Sequence, residues 1–174
     1  MTLLLLLACP KPQQVDTGED SATDTQLVET EIFEGEAPCR SPIEVQVQEV
    51  YDGDTISVSH GSVYEVVRFI GIDTPEMNWG NAPDCWAAEA LDRSTGLLLN
   101  QSIWLGFDAE CKDDYDRTLA YLSLDGAFIN RQLVREGHGW AFPFEPNTAF
   151  ASSLQTAEQQ ARAEDAGLWE SCWD

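Results

Sequence analysis

The strongest constraint on the fold is a run of alternating residues between Ile43 and Ile72 that is broken twice by turn signals. Ile43-Glu44-Val45-Gln46-Val47-Gln48-Glu49-Val50 alternates apolar and polar side chains, the period of a strand with one face buried. Asp52-Gly53 then supplies a turn, residues 55–59 resume the alternation through Ile56 and Val58, His60-Gly61 turns again, and residues 63–72 form a long apolar run. Strands joined by such short turns must run antiparallel, since a parallel neighbour needs a long crossover.

Beyond this meander, Asp84 is placed to cap a helix whose positions Ala88, Leu91, Thr95 and Leu98 share one side. Residues 103–107 return to strand, and residues 117–124 form another, closed by Asp125-Gly126. Residues 127–136 read as a short helix through Ile129, Leu133 and Val134, stopped by Gly137. Thr148 opens a last helix carrying Phe150, Leu154, Ala157 and Ala161 in register and ending near Gly167. Five strands, a helix after the third and two more helices at the end fit an α+β fold, a five-stranded Greek-key β-barrel of the OB type with three helices.

The 174 residues hold enough apolar material for one packed domain and a tail. Residues 1–9 read as a signal and lipobox segment, whose apolar run, Leu3 to Leu7 followed by Ala8-Cys9, is too short to span a bilayer. Leu6-Leu7-Ala8-Cys9 resembles the lipobox of bacterial lipoproteins, which implies lipidation of Cys9, a membrane anchor and an extracytoplasmic location, with plain secretion as the alternative. Residues 10–40 then read as an acidic disordered linker, poor in apolar residues, and residues 41–174 as the folded domain.

Net charge is −22, and the linker does not account for it. Nine of the 31 acidic residues precede Val45, so the remainder of the chain carries 22 acids against seven bases. Such a surface repels a polyanion, and any nucleic-acid chemistry must rest on local charge at a site. With Cys9 assigned to lipid, Cys39, Cys85, Cys111 and Cys172 remain, an even number that favours disulfides in an exported domain. Three pairings are open; because Cys39 and Cys172 bracket the folded part, the expectation is that they pair and leave Cys85 with Cys111.

Asp54 follows a tight turn and Asp73 ends the third strand, so adjacent strands bring both to one rim. Two carboxylates there need a cation between them, and oxygen-only ligation suits calcium or magnesium. Pro75 restrains the chain before Glu76, a carboxylate free to order or deprotonate water. Arg68 lies within Val66-Val67-Arg68-Phe69-Ile70, where an unpaired guanidinium is costly, and so requires an anionic partner. Arg68 and Asp73 are an odd number of residues apart, and a bulge at Gly71 is expected to reset the alternation. Arg117, after Asp113-Asp114-Tyr115-Asp116, supplies a second guanidinium for a phosphate. His60 and His138 read as turn and packing residues, and Trp86, Trp140 and Trp169 as core or helix-packing residues.

Over residues 45–170 the chain resembles the staphylococcal nuclease (thermonuclease) family. The resemblance is carried by Val50-Tyr51-Asp52-Gly53-Asp54-Thr55, residues 68–76, Tyr115-Asp116-Arg117-Thr118-Leu119-Ala120-Tyr121, residues 130–137 and Gly167-Leu168-Trp169. It implies an OB-fold barrel with three helices and calcium-dependent hydrolysis of DNA and RNA. By position, Asp54, Asp73 and the carbonyl of Thr74 would bind calcium, Glu76 would be the general base, Arg68 and Arg117 would clamp phosphate, and Tyr115 would lie near a nucleotide phosphate. The binding periphery departs from the family: Asp114 stands for a lysine, Asp116 for a glycine and Phe142 for a tyrosine. A monomer is expected. The competing readings are a non-catalytic OB module that binds nucleic acid or protein, and a calcium-binding surface lipoprotein.

Overall fold

The computed structural model describes residues 31–172, so Cys9 and the first part of the linker lie outside the described residues. The elements are β1 (Ile43–Val50), β2 (Thr55–His60), β3 (Val63–Phe69), β4 (Ile72–Asp73), α1 (Ala87–Leu98), β5 (Ser102–Gly106) and β6 (Thr118–Leu124). They continue as β7 (Ala127–Phe128), α2 (Ile129–Arg135), β8 (Trp140–Ala141), α3 (Ala151–Ala163) and α4 (Leu168–Ser171).

The meander forms as the alternation requires, with β1–β2 and β2–β3 antiparallel. β5 and β6 extend the sheet from the other side of β1, in the order β3-β2-β1-β5-β6-β7. Parallel pairing of β3 with β6 then joins the two edges and closes the expected five-stranded barrel. Closure satisfies the backbone groups that an open edge would leave unpaired. Alternate residues fill the interior: Val45, Val47, Ile56, Val58, Val67, Phe69, Ile103, Leu105 and Leu122 are all buried. A register shift between Val47 and Glu49 marks a bulge in β1, the kind of irregularity that lets a strand coil.

Several local expectations shift. Gly71 is no bulge: β3 ends at Phe69, and Ile70-Gly71 turns the chain, Gly71 at φ 76°, before β4 begins. Asp84 does not cap α1, whose N-cap position is Trp86, because its carboxylate is spent on the Glu76 N–H and the Asn78 side chain. The buried face of α1 is Ala87, Ala90, Ser94 and Leu98, about one residue round from the apolar stripe. Ser94 turns that face inward by donating its hydroxyl to the Gly53 carbonyl at 2.6 Å. α3 starts at Ala151 rather than Thr148 yet buries Leu154, Ala157 and Ala161 as expected, and α4 is an extra turn beyond Gly167. Trp86, Trp140 and Trp169 are half-buried at the margins of the core.

Two corrections concern the chain ends. Packing begins before the expected boundary at residues 40–41: Phe33 stacks on Phe128 at 4.4 Å, and the Gly35 N–H donates to the Phe107 carbonyl at 2.8 Å. The disulfides are Cys39–Cys111 and Cys85–Cys172, not Cys39–Cys172 and Cys85–Cys111. Cys39 is held beside the end of β5 by its N–H to the Asp108 carbonyl at 2.7 Å, which brings it to Cys111. The last helix packs through buried Leu168, whose N–H reaches the Gly137 carbonyl, and this leaves Cys172 beside the start of α1.

Candidate active site

Arg68 stands where three strands meet, and register explains why. Val67 and Phe69 are buried, so the residue between them points out of the barrel. Across β2 the partner of Arg68 is Thr55, and the Phe69 N–H donates to the Asp54 carbonyl at 2.9 Å. Across β6 the parallel register pairs Val67 with Thr118 and Arg68 with Leu119, which sets Arg117 at the mouth of the same strand pair. The turn at Gly71 returns Asp73 toward Arg68, so the odd spacing is resolved by a change of direction.

The guanidinium of Arg68 bridges two carboxylates, Nη1 to Asp54 Oδ1 at 2.7 Å and Nη2 to Asp73 Oδ1 at 2.6 Å. Asp54 is only 3% exposed and is hydrogen-bonded at both oxygens. Oδ1 also accepts from the Thr55 hydroxyl at 3.1 Å, and Oδ2 accepts from the Thr74 N–H at 2.8 Å and the Thr74 hydroxyl at 2.9 Å. Thr74 thereby ties the end of β4 to the turn before β2. A Cβ at Gly53 would come within 2.8 Å of the Thr74 side chain, so this approach requires glycine.

Charge is unbalanced here. Burial pushes the Asp54 carboxyl up to about 7; Arg68 opposes this without overcoming it, and Asp52 and Asp73 add to the rise. Burial likewise raises Asp73 against the pull of Arg68. Glu76 is exposed, and burial of part of its carboxyl, with repulsion from Asp52 and Asp73, raises it above the usual glutamate range. Its backbone is clasped by Asp84: the Glu76 N–H donates to Asp84 Oδ2 at 3.2 Å, and the Asp84 N–H donates to the Glu76 carbonyl at 2.9 Å.

On the other side of Arg68 lies a cleft of ≈ 290 Å³ that Arg117, Tyr115, Asp114, Phe142 and Phe144 also line. Both arginines and the tyrosine named from the sequence therefore share one cavity. Arg117 is held by Asp113, whose Oδ2 accepts from Nε at 2.7 Å while Oδ1 accepts the N–H groups of Arg117 and Tyr115. Burial alone would raise Asp113, but those donors outweigh it and hold the carboxyl below its ordinary value. With Nε engaged, the two terminal nitrogens of Arg117 remain for a ligand. Tyr115 is 81% exposed with its ring beside the Arg117 guanidinium, and Phe142 and Phe144 are also exposed. Phe142 reaches the cleft because its N–H continues the β4–β8 ladder to the Gly71 carbonyl at 2.8 Å.

The donors present suit a hard cation. Asp54 and Asp73 offer carboxylate oxygens whose raised affinity for protons comes first from burial, with Arg68 opposing it and neighbouring carboxylates adding to it. Among the described residues no three acidic, histidine or cysteine side chains could cage a metal by themselves. Two carboxylates at one place are the hard oxygen donors that calcium or magnesium takes. His60 and His138 take no part: His60 Nδ1 meets the Glu44 carbonyl, and His138 accepts from the Trp86 indole N–H.

Sequence reading missed three supports. Asp113 looked like one acid among several, Asp84 like a helix cap, and Ser94 lay off the apolar stripe of its helix. Ser94 alone had a local signal, since Ala87, Ala90, Ser94 and Leu98 also share a helical face.

Comparison with known proteins agrees with this geometry. A family model described as "Staphylococcal nuclease homologue" matches residues 66–171. The chain is 36% identical over 125 residues to "Thermonuclease" of Staphylococcus intermedius, covering 71% of this chain and 74% of that protein. It is 32% identical over 130 residues to "SPbeta prophage-derived endonuclease YokF" of Bacillus subtilis, covering 73% of this chain and 44% of that protein. It is 31% identical over 130 residues to "Endonuclease YncB" of Bacillus subtilis, covering 73% of this chain and 62% of that protein.

Proposed function

The chain belongs to the staphylococcal nuclease family, and from that premise we propose that it is a calcium-dependent nuclease that hydrolyses phosphodiester bonds of DNA, RNA or both. The observation that carries this reading is the junction of β2, β3 and β6, which brings Arg68 and Arg117 to one cleft and pairs Arg68 with Asp54 and Asp73 on its other side. The names of the relatives, a thermonuclease and two endonucleases, support the reaction class.

Arg68 and the terminal nitrogens of Arg117 present planar donors to the non-bridging oxygens of a scissile phosphate, where charge accumulates as a fifth ligand is added. Glu76, its proton affinity raised by burial and by Asp52 and Asp73, orients and deprotonates the attacking water. Asp84 keeps Glu76 at its station through both backbone groups. Tyr115, Phe142 and Phe144 offer exposed rings on which bases stack. Asp54, Asp73 and the Thr74 carbonyl would hold calcium, which when bound supplies positive charge beside the reacting phosphate. Asp114 and Asp116 oppose approach of a polyanion, so affinity is weak at low salt without calcium. Asp116 stands where the family has glycine and keeps the left-handed backbone, φ 64°.

The location follows as part of the same proposal. Lipidation at Cys9 anchors a monomeric domain outside the cytoplasm, and two disulfide-bonded pairs suit an oxidising compartment. Mass spectrometry of membrane-extracted protein tests the anchor: a mature chain that begins at lipidated Cys9 is expected, and unmodified Cys9 still preceded by Ala8 removes it. For the activity, purified protein is incubated with DNA and with RNA, in calcium and in chelator, beside Glu76→Gln and Arg68→Ala. Cleavage in calcium that stops in chelator and collapses in both variants is expected. A wild type that cuts neither polymer, or variants that cut as well as it does, would defeat the reading.

A further inference from the structure

The two disulfides end on the two loops that carry the catalytic side chains. Cys85 directly follows Asp84, the residue that holds both backbone groups of Glu76 and the side chain of Asn78. Its bond to Cys172 fastens this loop to the end of α4, which is itself seated by buried Leu168 and the contact of Gly167 with Gly137. Cys111 stands at the base of the second loop. Its carbonyl accepts the Leu119 N–H at 2.9 Å, Lys112 bridges Thr118, and Asp113 follows to hold Arg117. Its bond to Cys39 fastens that loop to the N-terminal segment, which is tied to the barrel through Gly35 and Cys39 themselves and through Arg40, paired with Glu65 and lying over the Phe107 ring.

Neither bond crosses the interior. The core cluster runs through the strands and the buried faces of α1, α2 and α3 and contains none of the four cysteines as a buried member. Cys39 and Cys85 are exposed and Cys111 and Cys172 half-buried, with Cys111 packed against the core, so each bond has one exposed residue through which a soluble thiol can approach. A barrel of this size, closed on all sides, does not need them to stay shut. What they shorten is the free chain on either side of Glu76 and Arg117, and misplacement of a reacting group by about 1 Å costs on the order of 100-fold in rate.

We propose that Cys85–Cys172 and Cys39–Cys111 are positioning elements of the active site, which make the nuclease active in oxidising surroundings and idle after reduction while the barrel stays folded. A dithiol reductant gives up two electrons and two protons per bond and closes to its own cyclic disulfide, and each protein disulfide becomes two thiols. The Cys85 bond governs the chemical step through Glu76, and the Cys39 bond governs phosphate capture through Arg117. The inference rests on the nuclease reading, and its test separates the two.

The full-length protein is assayed on DNA in calcium, oxidised and after treatment with a dithiol, with circular dichroism recorded on the same samples. Reduction is expected to lower kcat/KM by about 100-fold at temperatures where the far-ultraviolet spectrum is unchanged. Cys85→Ser/Cys172→Ser is expected to lower kcat at constant KM, Cys39→Ser/Cys111→Ser to raise KM, and the protein lacking both pairs to ignore the reductant. Oxidised protein that does not cut at all defeats the nuclease reading. Limited proteolysis then still reads the lock, with first cuts within residues 77–84 and 112–117 expected only after reduction. Reduced protein that cuts like oxidised protein, activity that falls only in step with unfolding, or proteolysis that ignores the redox state overturns the proposal.

Discussion

Arg68–Asp54 and Arg117–Asp113 are the same ion pair at the same 2.7 Å, yet their carboxylates shift in opposite directions. Asp54 is buried, shares its arginine with Asp73 and lies near Asp52, so the desolvation of its charge is undercompensated. Asp113 sits at the rim, has its arginine alone and collects two backbone N–H donors besides. In the deep pair burial thus outweighs the arginine and disfavours the charged carboxylate, while the rim pair is a finished support for a guanidinium. Pair distance by itself says neither.

The sharpest way to break this contrast is to remove each arginine. Arg68→Ala is expected to reduce cleavage by about 10³-fold or more, as loss of a transition-state arginine does. It also costs about 3–5 kcal/mol of stability by leaving buried Asp54 uncompensated. Arg117→Ala is expected to reduce cleavage too but to cost less stability, since half-buried Asp113 keeps the N–H donors of residue 117 and Tyr115. Steady-state kinetics beside urea titrations decide, and equal stability losses would erase the distinction between deep and rim.

Asp113→Asn probes the rim alone. It is expected to lower kcat/KM by about 10–100-fold through a loosened Arg117 with little change in stability; unchanged kinetics would mean that Arg117 needs no support.

The deep pair carries a pH signature. Because burial raises Asp54 from 3.8 in the unfolded chain to about 7 in the fold, its contribution to stability is full below pH 3.8 and is lost as pH rises to about 7. In chelator, wild type should therefore lose stability relative to Asp54→Asn across that window, by a few kcal/mol, and calcium should restore it. A flat difference in melting temperature between the two proteins from pH 4 to pH 8 would contradict the cost of burying the Asp54 charge.

The smallest effect is expected at Asp114→Lys, which adds a cation to the cleft without touching either pair. The slope of log affinity against log salt should steepen by about 0.7–0.9 for one new phosphate contact, with kcat unaltered.

Much of this site was legible without coordinates. Asp54, Asp73, Glu76, Arg68 and Arg117 stand out because hard ligands and guanidinium groups flank turn and strand signals that periodicity reads directly. The demand that Arg68 find an anionic partner followed from its apolar neighbours, and Asp54 and Asp73 meet it. The disulfide expectation failed for a physical reason. Cys39 and Cys172 do bracket the folded part, but each end packs against the element nearest it in space, β5 for one and the start of α1 for the other. Asp84 resembled a cap because the rule for helix starts is local, whereas its carboxylate was claimed by a loop folded back over it.

Sequence determined the strands, the turns and the chemical identity of the candidate site residues, since these depend on alternation, on φ preferences and on side-chain chemistry within a few residues. Tertiary structure decided which of those groups meet. Closure of β3 on β6 brings Arg68 to Arg117, Ser94 holds the Gly53 carbonyl while Thr74 holds the Asp54 carboxylate, and the disulfides join the loops of Glu76 and Arg117 to the chain ends. The reason is that each meeting depends on the register of strands distant in sequence, and register is selected by the packing of the whole barrel rather than by any segment within it.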